Sequence, residues 1–201
     1  MIDEILEGRY EIPEGAFSDI PKRDSAIFES VSNLILDRKF SQAAARLFET
    51  DPKLRTSFPF LIIQIRLARA RRQWKNAILA ARIMRQNFPG YLPARHYEAF
   101  SLLKLKRFKE ARQIALECRA SNPGDLGGWL LLVLISVQTD KPEQAFRSWL
   151  DALAITTYAP GATRRFLERS LCAEELAPIE NEIISKAREL CESADAHSKW
   201  N

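Results

Sequence analysis

The residues of this chain that could do chemistry are few, and their spacing counts against catalysis. There are two histidines, His96 and His197, and three cysteines, Cys118, Cys172 and Cys191. A histidine acts as general base or metal ligand when a carboxylate or a second ligand stands at a fixed interval, such as i and i+4 on one helix face. Neither histidine has such a neighbour, and His197 lies in a terminal stretch expected to fray. Cys118 falls on the apolar stripe of a helix, where a thiol packs as a small hydrophobe. The pair Glu174–Glu175 falls in the C-terminal helical cap and reads as surface. No glycine-rich loop precedes a helix in the manner of a phosphate cradle. The sequence therefore points to no enzyme activity, no metal and no cofactor.

The residues that stand out are cations. Between Leu61 and Ala120 there are 14 Lys/Arg against three acids, Glu98, Glu110 and Glu117, a balance of +11, whereas the whole chain carries +4. Residues 1–23 hold Asp3, Glu4, Glu7, Glu11, Glu14 and Asp19 against Arg9, Lys22 and Arg23. Charge is thus segregated into an acidic arm, a basic middle and a mildly acidic end. Clustered cations create a local potential that attracts anions, while scattered ones serve mainly solubility.

The elements that must position these cations are helices. Over 92–125, Ala99, Leu102, Leu103 and Leu105 lie on one side of a first helix. Lys106-Arg107 makes a turn, and Phe108, Ala111, Ile114, Ala115 and Cys118 line a second helix. Asn122-Pro123-Gly124 stops it. Two such helices cannot bury their apolar faces alone. The pattern recurs: Ala43, Ala77, Ala111 and Ala145 are 34 residues apart, each preceded by three residues by Phe40, Trp74, Phe108 and Pro142. Pro89 and Pro123 keep the same step. Seven glycines and few β-branched runs argue against a sheet. Segment 126–138, LGGWLLLVLISVQ, is apolar all round, which requires burial on more than one side. The chain divides into an acidic extension (1–23), a helical array (24–160), and C-terminal helices over 163–171 and 178–191 with a tail (161–201). There is no secretory signal pattern and no apolar run near the roughly 20 residues of a membrane span. An odd cysteine count without metal spacing fits a reducing, cytoplasmic setting.

The 34-residue small-and-aromatic pattern resembles the tetratricopeptide repeat family, whose unit is a helix–turn–helix of that length. Ala99, Phe108, Ala111 and Pro123 match its small, aromatic, small and proline positions. Arg95 departs from the aromatic expected early in the first helix, Trp129 restores it in the fourth unit, and Pro142 replaces the turn aromatic there. The first unit is the weakest, because Pro52 arrives early. The resemblance covers roughly 24–159. It implies an all-α, right-handed superhelical solenoid of about four units with a C-terminal helical cap. It further implies a non-catalytic scaffold whose first helices line a concave peptide-binding wall. Carried over by phase, that wall holds Ile62, Arg66, Arg69 and Ala70; Pro93, His96, Phe100, Leu103 and Lys104; Leu130, Leu134, Val137 and Gln138; and Ser25, Phe28 and Ser32. The expected partner is an acidic, partly apolar peptide segment. Arg66, Arg69 and Lys104 pair with its carboxylates, and Phe100, Leu130 and Leu134 bury its apolar side chains. Phe28 and Ser32 stand where chaperone-tail-binding members carry a lysine–asparagine clamp, which disfavours that role. Nucleic-acid binding is the runner-up, disfavoured by the small net charge and the lack of a motif. A homodimer through the apolar fourth unit and a secretion chaperone are further alternatives.

Overall fold

The computed structural model describes residues 12–18 and 20–139, with positions 141, 144, 148 and 151 beyond them. Among the described residues there are seven α-helices and no strand. The helices are α1 (Lys22–Leu36), α2 (Phe40–Phe48), α3 (Phe58–Ala70), α4 (Trp74–Asn87), α5 (Pro93–Lys104), α6 (Phe108–Ser121) and α7 (Leu126–Gln138). Two expected features lie outside the described residues: the second helix of the fourth unit around Ala145, and the C-terminal cap.

The helix pairs follow from the sequence signals, with two local adjustments. The first helix starts at Lys22, two residues before the expected boundary, because the carbonyl of Pro21 already accepts from the N–H groups of Asp24 and Ser25. The second helix is short. It ends at Phe48, and Asp51 then caps a 3-10 turn at Pro52–Leu54 by accepting from the Lys53 N–H. The early Pro52 is the reason: proline suits a first helical position but cannot continue a helix.

The 34-residue step is present in the backbone itself. Among the described residues, Arg38, Arg72 and Lys106 are the non-glycine residues with positive φ, at 59°, 56° and 59°. Each sits in the same helix-ending motif. The N–H groups of Lys39, Gln73 and Arg107 bond back to the carbonyls of Leu34, Ala68 and Leu102 at 2.8, 2.8 and 2.9 Å. Inside these bonds, Arg38, Arg72 and Lys106 donate to Ile35, Arg69 and Leu103 at 3.0, 2.9 and 2.9 Å. This double closure satisfies carbonyls that a helix end leaves orphaned. The longer bond recurs one step later, from Lys141 to Ser136 at 2.9 Å. Three residues into each following helix stand Ala43, Ala77 and Ala111, all fully buried, while Phe40, Trp74 and Phe108 are half-buried. A methyl at those points leaves room for the neighbouring helix, and the ring beside it covers the contact.

Two compact units divide the chain, one spanning Gly8–Cys118 and the other taking in the residues from Arg119 onward together with Met1–Glu7. In the first, consecutive helices pack on one another: α1 on α2, α3 on α4, and α4 on α5, with α1 and α2 also against α3. Its core runs from Ala16 and Ile27 through Leu61, Ile65 and Met84 to Tyr97. Each fully buried aliphatic side chain contributes about 1.5–3 kcal/mol by leaving water. Phe58, at the start of α3, gathers an aromatic hub. The rings of Phe17, Phe88 and Tyr91 meet it edge-on at 6.0, 5.3 and 4.8 Å. Asp24, at the start of α1, accepts from the Asp51 N–H at 3.1 Å, which returns the chain after α2 to that end; the contact of Phe17 with Phe58 sets the start of α3 on the same side. In the second unit, residues 129–136 of α7 are all buried, as its uniformly apolar sequence requires. The carboxylate of Asp125 caps that helix by accepting from Gly127 and Gly128 at 3.2 and 3.0 Å.

Candidate interaction surface

The ends of α3 and α5 bring aromatic and cationic side chains together. The guanidinium of Arg69 lies 5.1 Å from the ring centroids of both Tyr97 and Phe100. The Lys104 ammonium lies 5.1 Å from the Phe100 ring, and Trp74 meets the same ring edge-on at 6.2 Å. Helix geometry places Tyr97, Phe100 and Lys104 on one face at steps of three and four. A cation over a ring is worth about 0.5–1 kcal/mol when exposed and about 2 when desolvated. Arg69 belongs near the upper end, because it is only 8% exposed. Arg66, one turn earlier on α3, is exposed, and so is Ala70.

A second cluster absorbs other cations of the basic stretch. Glu98 is buried, with Arg82 Nε 2.6 Å from one carboxylate oxygen and Arg85 Nη1 3.2 Å from the other. The Arg85 contact is an ion pair without hydrogen-bond geometry, so Oε2 makes no hydrogen bond. Glu110 is held by Arg107 through two hydrogen bonds of 2.7 and 2.6 Å. That hydrogen bonding pulls the Glu110 carboxyl below its ordinary range, and the Arg107 guanidinium is raised by the same contact.

The positions expected to form the wall fall into three groups. Arg69, Phe100 and Lys104 are brought together, and Arg66 stands exposed beside them. Ile62 and His96 belong to the same unit but are buried, and Phe100 is itself 5% exposed. Leu130, Leu134 and Gln138 lie on α7 in the other unit, where the two leucines are buried and Gln138 is exposed. In the first unit Arg66 is exposed and Lys104 half-buried, with Phe100 beneath the Lys104 ammonium and Arg69 against the same ring; in the other unit Gln138 is exposed. Arg69 thus differs from its expected role as a carboxylate-pairing side chain: two rings occupy its charged face.

Some features of this surface were absent from the sequence-derived set. Tyr97 and Trp74 complete the ring cluster, and their spacing from Phe100 and from the α3 turn was the available signal. Glu98 carried no signal beyond its place between Tyr97 and Ala99 on a buried side. Arg119, stacked 4.8 Å over Trp129, and the bond from Trp129 Nε1 to the Pro123 carbonyl at 3.1 Å order the entry to α7. No protein-family model matches the chain, and no curated protein matches it.

Proposed function

We infer that this protein is a non-catalytic helical-repeat scaffold that binds an acidic, partly apolar segment of a partner protein. Its resemblance to tetratricopeptide arrays supports a right-handed superhelix with the first helix of each pair on the concave side. The recurrence of one helix-ending motif at residues 38, 72 and 106 supports the repeat. The single observation that carries the binding reading is the set Arg69, Phe100 and Lys104 on α3 and α5, with Arg66 exposed alongside. Arg66 and the Lys104 ammonium receive carboxylates of the ligand. Arg69 shapes the floor by holding Tyr97 and Phe100, and apolar ligand side chains rest on that floor. A partner met in a reducing, cytoplasmic compartment fits the cysteine usage.

The test is selection from a displayed peptide library, then fluorescence anisotropy with the best acidic peptide. Arg66→Glu combined with Lys104→Glu is expected to weaken binding at least tenfold while keeping a cooperative circular-dichroism melt, lowered by the loss of one or two surface contacts worth about 0.5–1 kcal/mol each. Arg69→Glu is a poor probe, because it would bury a carboxylate against two ring faces and destabilise the fold. Enrichment of basic peptides, or binding unaffected by the double reversal, refutes the reading.

A further inference from the structure

The turns that join the two helices of each pair form a cationic edge separate from the candidate wall. Leaving out the wall residues Arg69 and Lys104, residues 35–42, 70–76 and 105–110 together contain eight Lys/Arg and two acids. Their balance of +6 exceeds that of the whole chain, +4. The two acids are already engaged: Asp37 pairs with Lys39 at 2.9 Å and Glu110 with Arg107 at 2.6 Å. Arg38, Arg71, Arg72, Lys75, Lys106 and Lys109 are all exposed.

The fold puts these turns on one edge. The bond from Asp51 to Asp24 returns the chain after α2 to the start of α1, and the ring of Phe17, five residues before α1, meets Phe58 at the start of α3, so α1 and α3 begin on one side and the turns after them share the other. Arg69 near the end of α3 touches Phe100 near the end of α5, and Trp74 at the start of α4 touches the same ring. The second and third turns are therefore neighbours. Packed helix axes lie about 8–10 Å apart, so three turns span roughly 20 Å. Arg38, Arg72 and Lys106 occupy the left-handed position that glycine fills at least cost, and all three are exposed there.

We propose that this edge docks along the phosphate backbone of a double-stranded nucleic acid without reading its sequence. A duplex carries a phosphate about every 1.7 Å of its axis when both strands are counted, so roughly 20 Å of edge lies over about twelve, of which about half face it. Arginine's planar fork fits phosphate oxygens in pairs, and three of the six exposed cations are arginines. Base stacking has no place here, because Trp74 is engaged with Phe100, and Phe40 and Phe108 are half-buried. This selects the outside of a duplex over the bases of a single strand. A membrane is disfavoured because the edge presents helix ends, with Leu36 its one strongly exposed large apolar side chain among the described residues. The small net charge that argued against nucleic acid at the level of composition averages over this segregation. The proposal is independent of peptide binding at the wall.

The test is anisotropy with a labelled 20-base-pair DNA duplex of mixed sequence, titrated with salt against the full chain. Log affinity is expected to fall against log salt with a slope of about −4 to −5, as four to six phosphate contacts require. The triple variant R38G/R72G/K106G removes three cations and supplies the residue its backbone favours. It is expected to make the slope shallower by about 2 to 3 and to weaken binding at least tenfold at moderate salt, with no loss of thermal stability. A wild-type chain that fails to bind the duplex at low salt overturns the proposal. So does a triple variant with an unchanged slope, or tighter binding to anionic lipid vesicles or to polyglutamate than to the duplex at equal salt.

Discussion

Substituting glycine at the three left-handed turn residues should make the protein more stable, although each change removes a surface side chain. Arg38, Arg72 and Lys106 hold φ near +60°, where the Cβ of an L-residue crowds the following carbonyl. That crowding costs about 1–2 kcal/mol per residue. Glycine escapes it but loses about 0.5–1 kcal/mol through its greater freedom in the unfolded chain. The net gain is about 0.5–1 kcal/mol per site. The turns lie in different helix pairs and share no partner, so the gains should add, to about 1.5–3 kcal/mol for the triple variant. For a chain of this size that is a rise of about 2–4 °C per kcal/mol, or roughly 3–12 °C in all. Differential scanning calorimetry at matched ionic strength reads the shift. Alanine is the control: Arg72→Ala removes the same charge and keeps the strained φ, so it should bring no gain. Equal effects of glycine and alanine would refute the reasoning, because the stabilisation would then come from lost charge repulsion. A fall in stability with glycine would mean that the side chain of Arg72 makes contacts outweighing its backbone strain.

Two further outcomes follow from contacts described above. Ala77→Leu and Ala111→Leu each force three carbons into a fully buried helix contact and should cost about 1–3 kcal/mol in a urea titration. Glu110 is held below its ordinary range by Arg107, so its contribution is complete above the unfolded-state carboxyl range and lost as pH falls through the lower folded value. Stability measured from pH 6 downward should therefore decline less steeply in Glu110→Gln than in the wild-type chain.

The helix pairs were legible in the sequence because apolar residues at 3.6-residue spacing and the Asn122-Pro123-Gly124 stop are both physical requirements of the structure. The long neutral run of α7 correctly announced its burial. Arg69 was not legible. Charge patterns place arginine toward solvent, yet its long stem and flat, weakly hydrated head can lie against two rings. Glu98 escaped for a related reason: its partners Arg82 and Arg85 come from a helix 13 to 16 residues away. The turn geometry escaped because the usual signal for a left-handed helix end is glycine, and here the position holds Arg, Arg and Lys. The 34-residue step of those three cations was the signal available, hidden within a generally basic stretch. Gly127 and Gly128 have a local role at the start of α7, as hydrogen-bond donors to the Asp125 cap.

The cap on α7 has a consequence beyond its hydrogen bonds. A rod that is oily around its whole circumference gains as much from one azimuth as from another, so hydrophobicity sets no preferred spin. The few directional bonds at its entrance, from Gly127 and Gly128 to Asp125 and from Trp129 to the Pro123 carbonyl, act as the key that stops the rod rotating in its socket. Loss of Asp125 would then show as heterogeneity in the seating of α7 before it showed as a lower melting point, with Trp129 fluorescence as its indicator.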